Sequence, residues 1–322
     1  MNGVDFRGAS CRDTIRRARR EVVVKIRTTT RRPPGQTVAQ GVENVFRQIF
    51  ANPGNKGERL RRTAEALIFP FWTRMTDGYW TTRYAGGQIV VRRGQGSSHA
   101  VYARLPDYPE MTFWMGMLRP GDLFVDVGAN IGVYTVLMAS RGCDVIAVEP
   151  ADAARRLLEV NLELNGLSAD ILRAALGRAP GHARLTSELG SSNHILTQSD
   201  GAENPSACVT DVSVTTLDEV LGDRTVAGVK VDVEGFELDV VLGASRALAD
   251  QRIGVVQLEW NSMARERFGR GRDEVGRVLQ DAGYVLSRPD ARGRLQPTVP
   301  DEGPDLFAVA PRLRDDLVVS GD

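Results

Sequence analysis

Seven residues, Asp126-Val127-Gly128-Ala129-Asn130-Ile131-Gly132, follow an apolar run and open a helical one. In that setting a glycine-rich turn brings backbone against a ligand. Glycines alone do not choose the ligand. Asp126 adds a carboxylate, and Asn130 stands where a dinucleotide-binding turn needs open backbone, so a pyrophosphate would meet negative charge and a Cβ. A cationic amino group would be stabilised there instead, which favours S-adenosylmethionine over NAD as the cofactor. Glu149 stands 17 positions after Gly132, ahead of Pro150. An acid at the end of the second strand can accept both hydroxyls of a ribose; capping of the following helix is the competing reading.

The second chemical stretch is Lys230-Val231-Asp232-Val233-Glu234-Gly235. Alternation puts Lys230, Asp232 and Glu234 on one side of a strand. Buried charges need partners, so Lys230 is expected to pair with one of these two acids, or with Glu149 or Glu259 on neighbouring strands. The carboxyl end of this strand borders the ligand crevice of an open α/β sheet. Asp232 and Glu234 are therefore candidates for a general base that takes a proton from an acceptor hydroxyl, with His194 a third; a purely structural ion-pair network is the alternative. Asp232, Glu259 and Asn261 could supply oxygen ligands to Mg²⁺, although that spacing is weak and no metal is favoured.

Elements that would hold these residues are legible as alternation. Strand-like runs at 123–127, 145–148 and 171–176 alternate with helix-like runs at 131–140 and 153–164, the pattern of a parallel sheet with right-handed helical crossovers. Further on come strands at 229–233, 255–258, 284–287 and 306–309 and helices at 238–248 and 274–282. Seven strands are expected. The stretch 177–217 reads as one long loop at the carboxyl edge of the sheet. Ahead of the sheet, apolar residues at helical spacing (Val38, Val42, Val45, Phe46, Ile49; Leu60, Ala64, Leu67, Ile68) predict two short helices at 36–51 and 56–69. A β-hairpin follows at 80–91, turning at Gly86-Gly87.

The chain of 322 residues is 42% apolar and 25% charged with no net charge. That composition excludes disordered, collagen-like and disulfide-scaffold classes, and it gives no general argument for a nucleic-acid or membrane partner. Three scattered cysteines, Cys11, Cys143 and Cys208, without a C-x-x-C pair argue against a disulfide framework or structural zinc. With no 18-residue apolar stretch and arginines where a signal peptide would be apolar, a cytoplasmic enzyme is expected. Only Lys25, Lys56 and Lys230 are lysine among 41 basic residues, which makes the lysine in the acidic strand conspicuous. Residues 1–32 carry ten basic and three acidic side chains, a net +7, in what reads as a solvated arm.

The segments VDVGANIGVYT (125–135), VEP (148–150), LDEVL (217–221), VKVDVEGFE (229–237) and VLGA (241–244) resemble the FkbM-type S-adenosylmethionine-dependent methyltransferases, from about residue 108 to 260. The resemblance implies a class I methyltransferase fold: an α/β, doubly wound, Rossmann-like, mainly parallel sheet of order 3-2-1-4-5-7-6 with the seventh strand antiparallel. It also implies O-methylation of a hydroxyl on a sugar or secondary metabolite. By match, Asp126, Gly128, Asn130 and Gly132 form the cofactor loop and Glu149 holds the ribose. Ala129, Tyr134, Thr135, Pro150 and Ala175 complete the expected cofactor set, while Asp232, Glu234, His194 and Lys230 form the expected catalytic set. The domain reading is a basic arm at 1–35, helices and hairpin at 36–110 that form an acceptor lid with 186–208, the methyltransferase domain at 111–311 and a tail at 312–322. The partner expected is a small hydroxylated molecule, with no membrane and no nucleic acid. Two competing functions are an NAD-dependent oxidoreductase on the same fold and a phosphate- or nucleic-acid-binding protein using the arm. Residues 7–32 have no aromatics for base stacking, which disfavours the latter.

Overall fold

A computed structural model describes residues 38–76, 78–93, 99–186, 195, 209–259, 271–300 and 305–318. The arm at 1–35, His194, Asn261 and most of the expected lid loop lie outside the described residues. Helices α1 (Val38–Ala51) and α2 (Arg59–Met75) form where the apolar spacing placed them. Asn52 turns the chain between them, its Oδ1 accepting from Gly54 N at 2.8 Å. Helix α2 runs six residues past the predicted end and contains Pro70, which removes one hydrogen bond from the ladder. Its apolar stripe faces outward: Leu60, Ala64, Leu67 and Ile68 are exposed, whereas Arg62, Phe69 and Thr73 are buried. The buried Arg62 guanidinium donates to Ala100 O at 2.8 Å and Arg83 O at 2.9 Å and stands within ion-pair distance of Glu58 and Glu65.

Strands β1 (Tyr79–Tyr84) and β2 (Gly87–Arg92) form the hairpin. Its two turn residues are Ala85 and Gly86, both at positive φ, one position before the predicted pair; Gly87 already pairs with Tyr84. Helices α3 (His99–Tyr102) and α4 (Tyr108–Met117) lead into the sheet. There β3 (Leu123–Val127), α5 (Val133–Ser140), β4 (Asp144–Val148), α6 (Asp152–Asn165) and β5 (Asp170–Leu172) wind as predicted. Trp114 of α4 packs edge-on against Phe124 of β3 at 5.1 Å between ring centroids, and Asn161 of α6 accepts from Val90 N at 2.7 Å. The N-terminal elements thus share a core with the sheet.

The run 171–176 is not one strand. After β5 the chain leaves the main sheet, and β6 (Ala175–Leu176) joins β7 (Gly181–Thr186) and β8 (Val209–Thr215) in a separate three-stranded sheet. The expected loop at 177–217 therefore contains an antiparallel pair, hidden in sequence because only Leu185, Thr186 and Val212 of its two strands are buried. Next come α7 (Leu217–Leu221), β9 (Val226–Val231), α8 (Glu237–Leu242), α9 (Ser245–Ala249) and β10 (Ile253–Glu259). The last elements are α10 (Arg272–Asp281), β11 (Val285–Pro289), β12 (Leu295–Pro297), β13 (Asp305–Val309) and α11 (Arg314–Leu317). Asp218 of the LDEVL segment caps α9, its carboxylate accepting from Arg246 N and Ala247 N.

The main sheet has order β12-β11-β13-β10-β9-β3-β4-β5. Without the edge strand β12, this is the expected order, with β13 antiparallel to both neighbours. The sheet has eight strands because β12 folds back on β11 as a hairpin. Chain order reverses beside β3, which pairs β4 on one side and β9 on the other; a crevice belongs there.

Candidate active site

A cleft opens at the carboxyl ends of β3, β4 and β9. Gly128, Asn130, Glu149 and Pro150 line one wall, Asp232, Val233 and Glu234 the other, and Ala175 and Ile195 approach from the small sheet. Gly128 is held at φ +78°, and a Cβ there would lie 1.8 Å from Asp232 O. The two loops that carry the site are therefore in backbone contact. Gly132, at φ +89°, does different work: a Cβ would lie 2.3 Å from Leu158 Cδ1, so it lets α6 pack against the turn.

Asn130 adopts φ +52°, a conformation that Asn tolerates better than most residues. Its backbone N donates to Glu149 Oε2 at 2.8 Å, and Ala151 N donates to Oε1 at 2.7 Å. Glu149 thus ties the turn to α6, the capping role weighed in the sequence, and still faces the cleft. Burial pushes its carboxyl up to about 7, against the pull of those two N–H groups. The Asn130 side-chain Oδ1 is buried and has no hydrogen-bond partner among the described residues.

Asp126 lies at the end of β3, beneath the turn. It is 1% exposed, does not line the cleft, and accepts from Thr135 Oγ1 at 2.6 Å. Ala129, Gly132, Tyr134 and Thr135 likewise stay out of the cleft lining. Tyr134 offers its ring face to Lys230 Nζ at 4.7 Å. Lys230, also buried, donates to Asp232 Oδ2 at 2.9 Å and stands 3.6 Å from Glu259 Oε2. Of the partners open in the sequence, Asp232 and Glu259 are used. An Mg²⁺ bound by both acids would have to displace an ammonium they already share; Asn261 lies outside the described residues.

Strand β9 ends at Val231, two residues before the predicted end. Glu234 therefore leaves the alternation and sits in the turn at φ +54°. Glu237, absent from the expected set although VEGFE contains it, accepts from Gly235 N at 3.0 Å, and its Oε2 is buried without a hydrogen-bond partner among the described residues. Burial pushes this carboxyl up to about 7. A second group missed in the sequence is the relay of Trp114, Gln257, Tyr134 and Asp305 behind Lys230.

Burial also pushes Glu110 up to about 7 and Asp305 up to about 6. Folded-state values above the ordinary carboxylate range mean that the folded chain binds more protons than the unfolded one. This contribution to stability is fully present below about pH 4 and is lost as pH rises through 6 to 7. The melting temperature is expected to fall from about pH 5 to pH 8, and less steeply in Glu237→Gln, where the slope of the unfolding free energy loses up to about 1.4 kcal/mol per pH unit. Melts by circular dichroism across that range check this; a flat or rising profile contradicts it.

Comparison with known proteins finds the family described as the methyltransferase FkbM domain matching residues 126–286, half of the chain. A curated 23S rRNA (uracil(1939)-C(5))-methyltransferase of Ralstonia nicotianae is 41% identical over 49 residues, 15% of this chain and 11% of that protein. The chain thus matches about a tenth of that relative's length. Among solved structures, a methyltransferase FkbM from Methylobacillus flagellatus is 15% identical, covers 67% of this chain and 56% of its own, and has a TM-score of 0.39. A Thermus thermophilus 16S rRNA N2 G1207 methyltransferase, solved with AdoMet and guanosine, is 15% identical over 72% of this chain and 50% of its own, with a TM-score of 0.37.

Proposed function

The chain belongs to the FkbM methyltransferase family, and from that premise we propose that it transfers the methyl group of S-adenosylmethionine to a hydroxyl oxygen of a small molecule, a sugar or a secondary metabolite. The observation that carries this reading is the cleft itself, with Glu149 and the unpartnered Asn130 Oδ1 on one wall and Asp232 on the other. When bound, S-adenosylmethionine supplies an electrophilic methyl on a sulfonium.

The residues fit such a cofactor. Gly128 lets the loops after β3 and β9 meet at the cleft, and Asn130 Oδ1 is an acceptor in want of a donor. Two backbone N–H groups use only part of the capacity of the Glu149 carboxylate, which leaves lone pairs for ribose hydroxyls. Asp126 acts through Thr135 and the turn rather than by contact. Across the cleft, Lys230 holds Asp232 Oδ2, and the Asp232 carboxylate is the group placed to take the proton of the acceptor hydroxyl, with Glu234 beside it. Orientation of the acceptor contributes effective molarities up to about 10⁵ to 10⁸ M; the base adds about 10² to 10⁴.

Glu149→Ala is expected to weaken S-adenosylmethionine binding by about 1.5 to 3 kcal/mol, the range for hydrogen bonds to a charged group. Titration calorimetry on the wild type and the variant, with S-adenosylmethionine and NAD as separate ligands, tests the reading. Tighter binding of NAD, or equal S-adenosylmethionine affinity in a folded variant, removes its basis.

A further inference from the structure

Helix α2 carries a second surface, none of whose residues line the cleft. Leu60, Ala64, Leu67, Ile68, Phe71, Trp72 and Met75 recur at helical spacing over four turns, and all are exposed; Leu67, Phe71 and Met75 keep 64%, 70% and 75% of their surface in solvent. A globular helix ordinarily turns such a stripe inward. Here the inward face is taken by Arg62, Phe69 and Thr73, and the stripe stays open to solvent apart from Trp72, which meets the Trp80 ring edge-on and is half exposed. Single exposed apolar residues need no explanation, but a contiguous row marks an interaction site.

Charge around the row identifies the partner. Arg59 lies over the Phe50 ring at the start of the stripe, Arg74 lies within its last turn, and Arg93 reaches Pro70 O beside Phe71. None of these three has an ion-pair partner among the described residues. The helix's acids, Glu65 and the capping Glu58, are engaged by Arg61 and Arg62, and no acid occurs from Ala66 to Met75. The chain ahead adds a net +7 over residues 1–32.

We propose that the exposed face of α2 is a docking surface for an anionic lipid bilayer, Leu67, Phe71, Trp72 and Met75 entering the interface while Arg59, Arg74 and Arg93 meet lipid phosphates. Aliphatic and aromatic side chains on one face with arginines at its borders is the composition of a helix that lies in a membrane interface. Trp72 is of the type that settles at headgroup level, and the arginines at the borders supply the electrostatic attraction that peripheral binding adds to apolar insertion. Whole-chain neutrality concealed this partner, because the positive charge is gathered at one end. A second copy of the chain fits less well: a two-fold contact would set the arginine borders against themselves, and seven side chains fall short of the roughly 20 to 30 residues on each side of a stable protein interface.

Co-sedimentation of the full chain with phosphatidylcholine vesicles, with and without phosphatidylglycerol, tests the proposal. Binding is expected only with phosphatidylglycerol, weakening with salt, and falling about 100-fold in the Leu67→Gln, Phe71→Gln, Trp72→Gln triple variant. These residues are at least half exposed, so the variant's melting temperature should fall only slightly, by the edge contact that Trp72 makes with Trp80. Removal of residues 1–32 should weaken binding without abolishing it. Three results overturn the proposal: no binding to anionic vesicles, equal binding by wild type and triple variant, or a wild-type dimer by light scattering that the triple variant turns into a monomer.

Discussion

Asp232→Asn is expected to keep S-adenosylmethionine affinity and lose turnover by a factor on the order of 10² to 10⁴. The amide keeps the size of the carboxylate and an oxygen for Lys230 Nζ, which stands 2.9 Å from Asp232 Oδ2, but it cannot take the acceptor's proton. Glu259, at 3.6 Å, continues to face the ammonium. A purely architectural role predicts something different. Breaking one partner of a buried pair costs about 3 to 5 kcal/mol, so the variant would melt early while whatever remains folded would turn over normally. Turnover, cofactor affinity and melting temperature measured on one preparation distinguish the two. Glu234→Gln is the control: a larger loss of turnover there transfers the base to Glu234. Turnover of the wild type after exhaustive chelation bears on the same step, because a requirement for Mg²⁺ would place the acidity of the hydroxyl with the metal instead.

Gly128→Ala should do still more damage, by another route. The added Cβ would lie 1.8 Å from the backbone oxygen of Asp232, and φ at this position is +78°. Left-handed backbone costs an L side chain about 1 to 2 kcal/mol, and overpacking against main chain about 1 to 3 kcal/mol more. A total near 2 to 5 kcal/mol would push apart the two loops that form the cleft. The expected result is a lowered melting temperature together with loss of both cofactor binding and turnover, unlike the selective defect in Asp232→Asn. An alanine variant that binds S-adenosylmethionine as the wild type does would show that close approach of β3 and β9 is dispensable.

The alternation of apolar runs from Leu123 onward determined the parallel sheet, because period-2 and period-3.6 patterns follow from covalent geometry alone. The glycines at 128 and 132 and the acid at 149 could be placed for the same reason: strand ends and the turns after them are local. Direction was not local. Asp126, the penultimate residue of β3, is buried and accepts from Thr135 of α5, a partner that the packing of the helix on the strand supplies. Likewise Glu234 falls out of the Lys230–Asp232 alternation because β9 stops at Val231.

The helix spacing of Leu60, Ala64, Leu67 and Ile68 fixed an amphipathic helix, but a periodic pattern says only that two faces differ. Tertiary structure decided which face was covered, and a buried Arg62 bonded to backbone took the inward position. The small sheet of β6, β7 and β8 escaped sequence reading because too few of its residues are buried to leave a pattern. Composition and local geometry thus determined the elements and the turn chemistry of this protein. Contacts between residues far apart in the chain decided which carboxylates face the cleft, since burial depends on what other segments bring and not on neighbours in sequence.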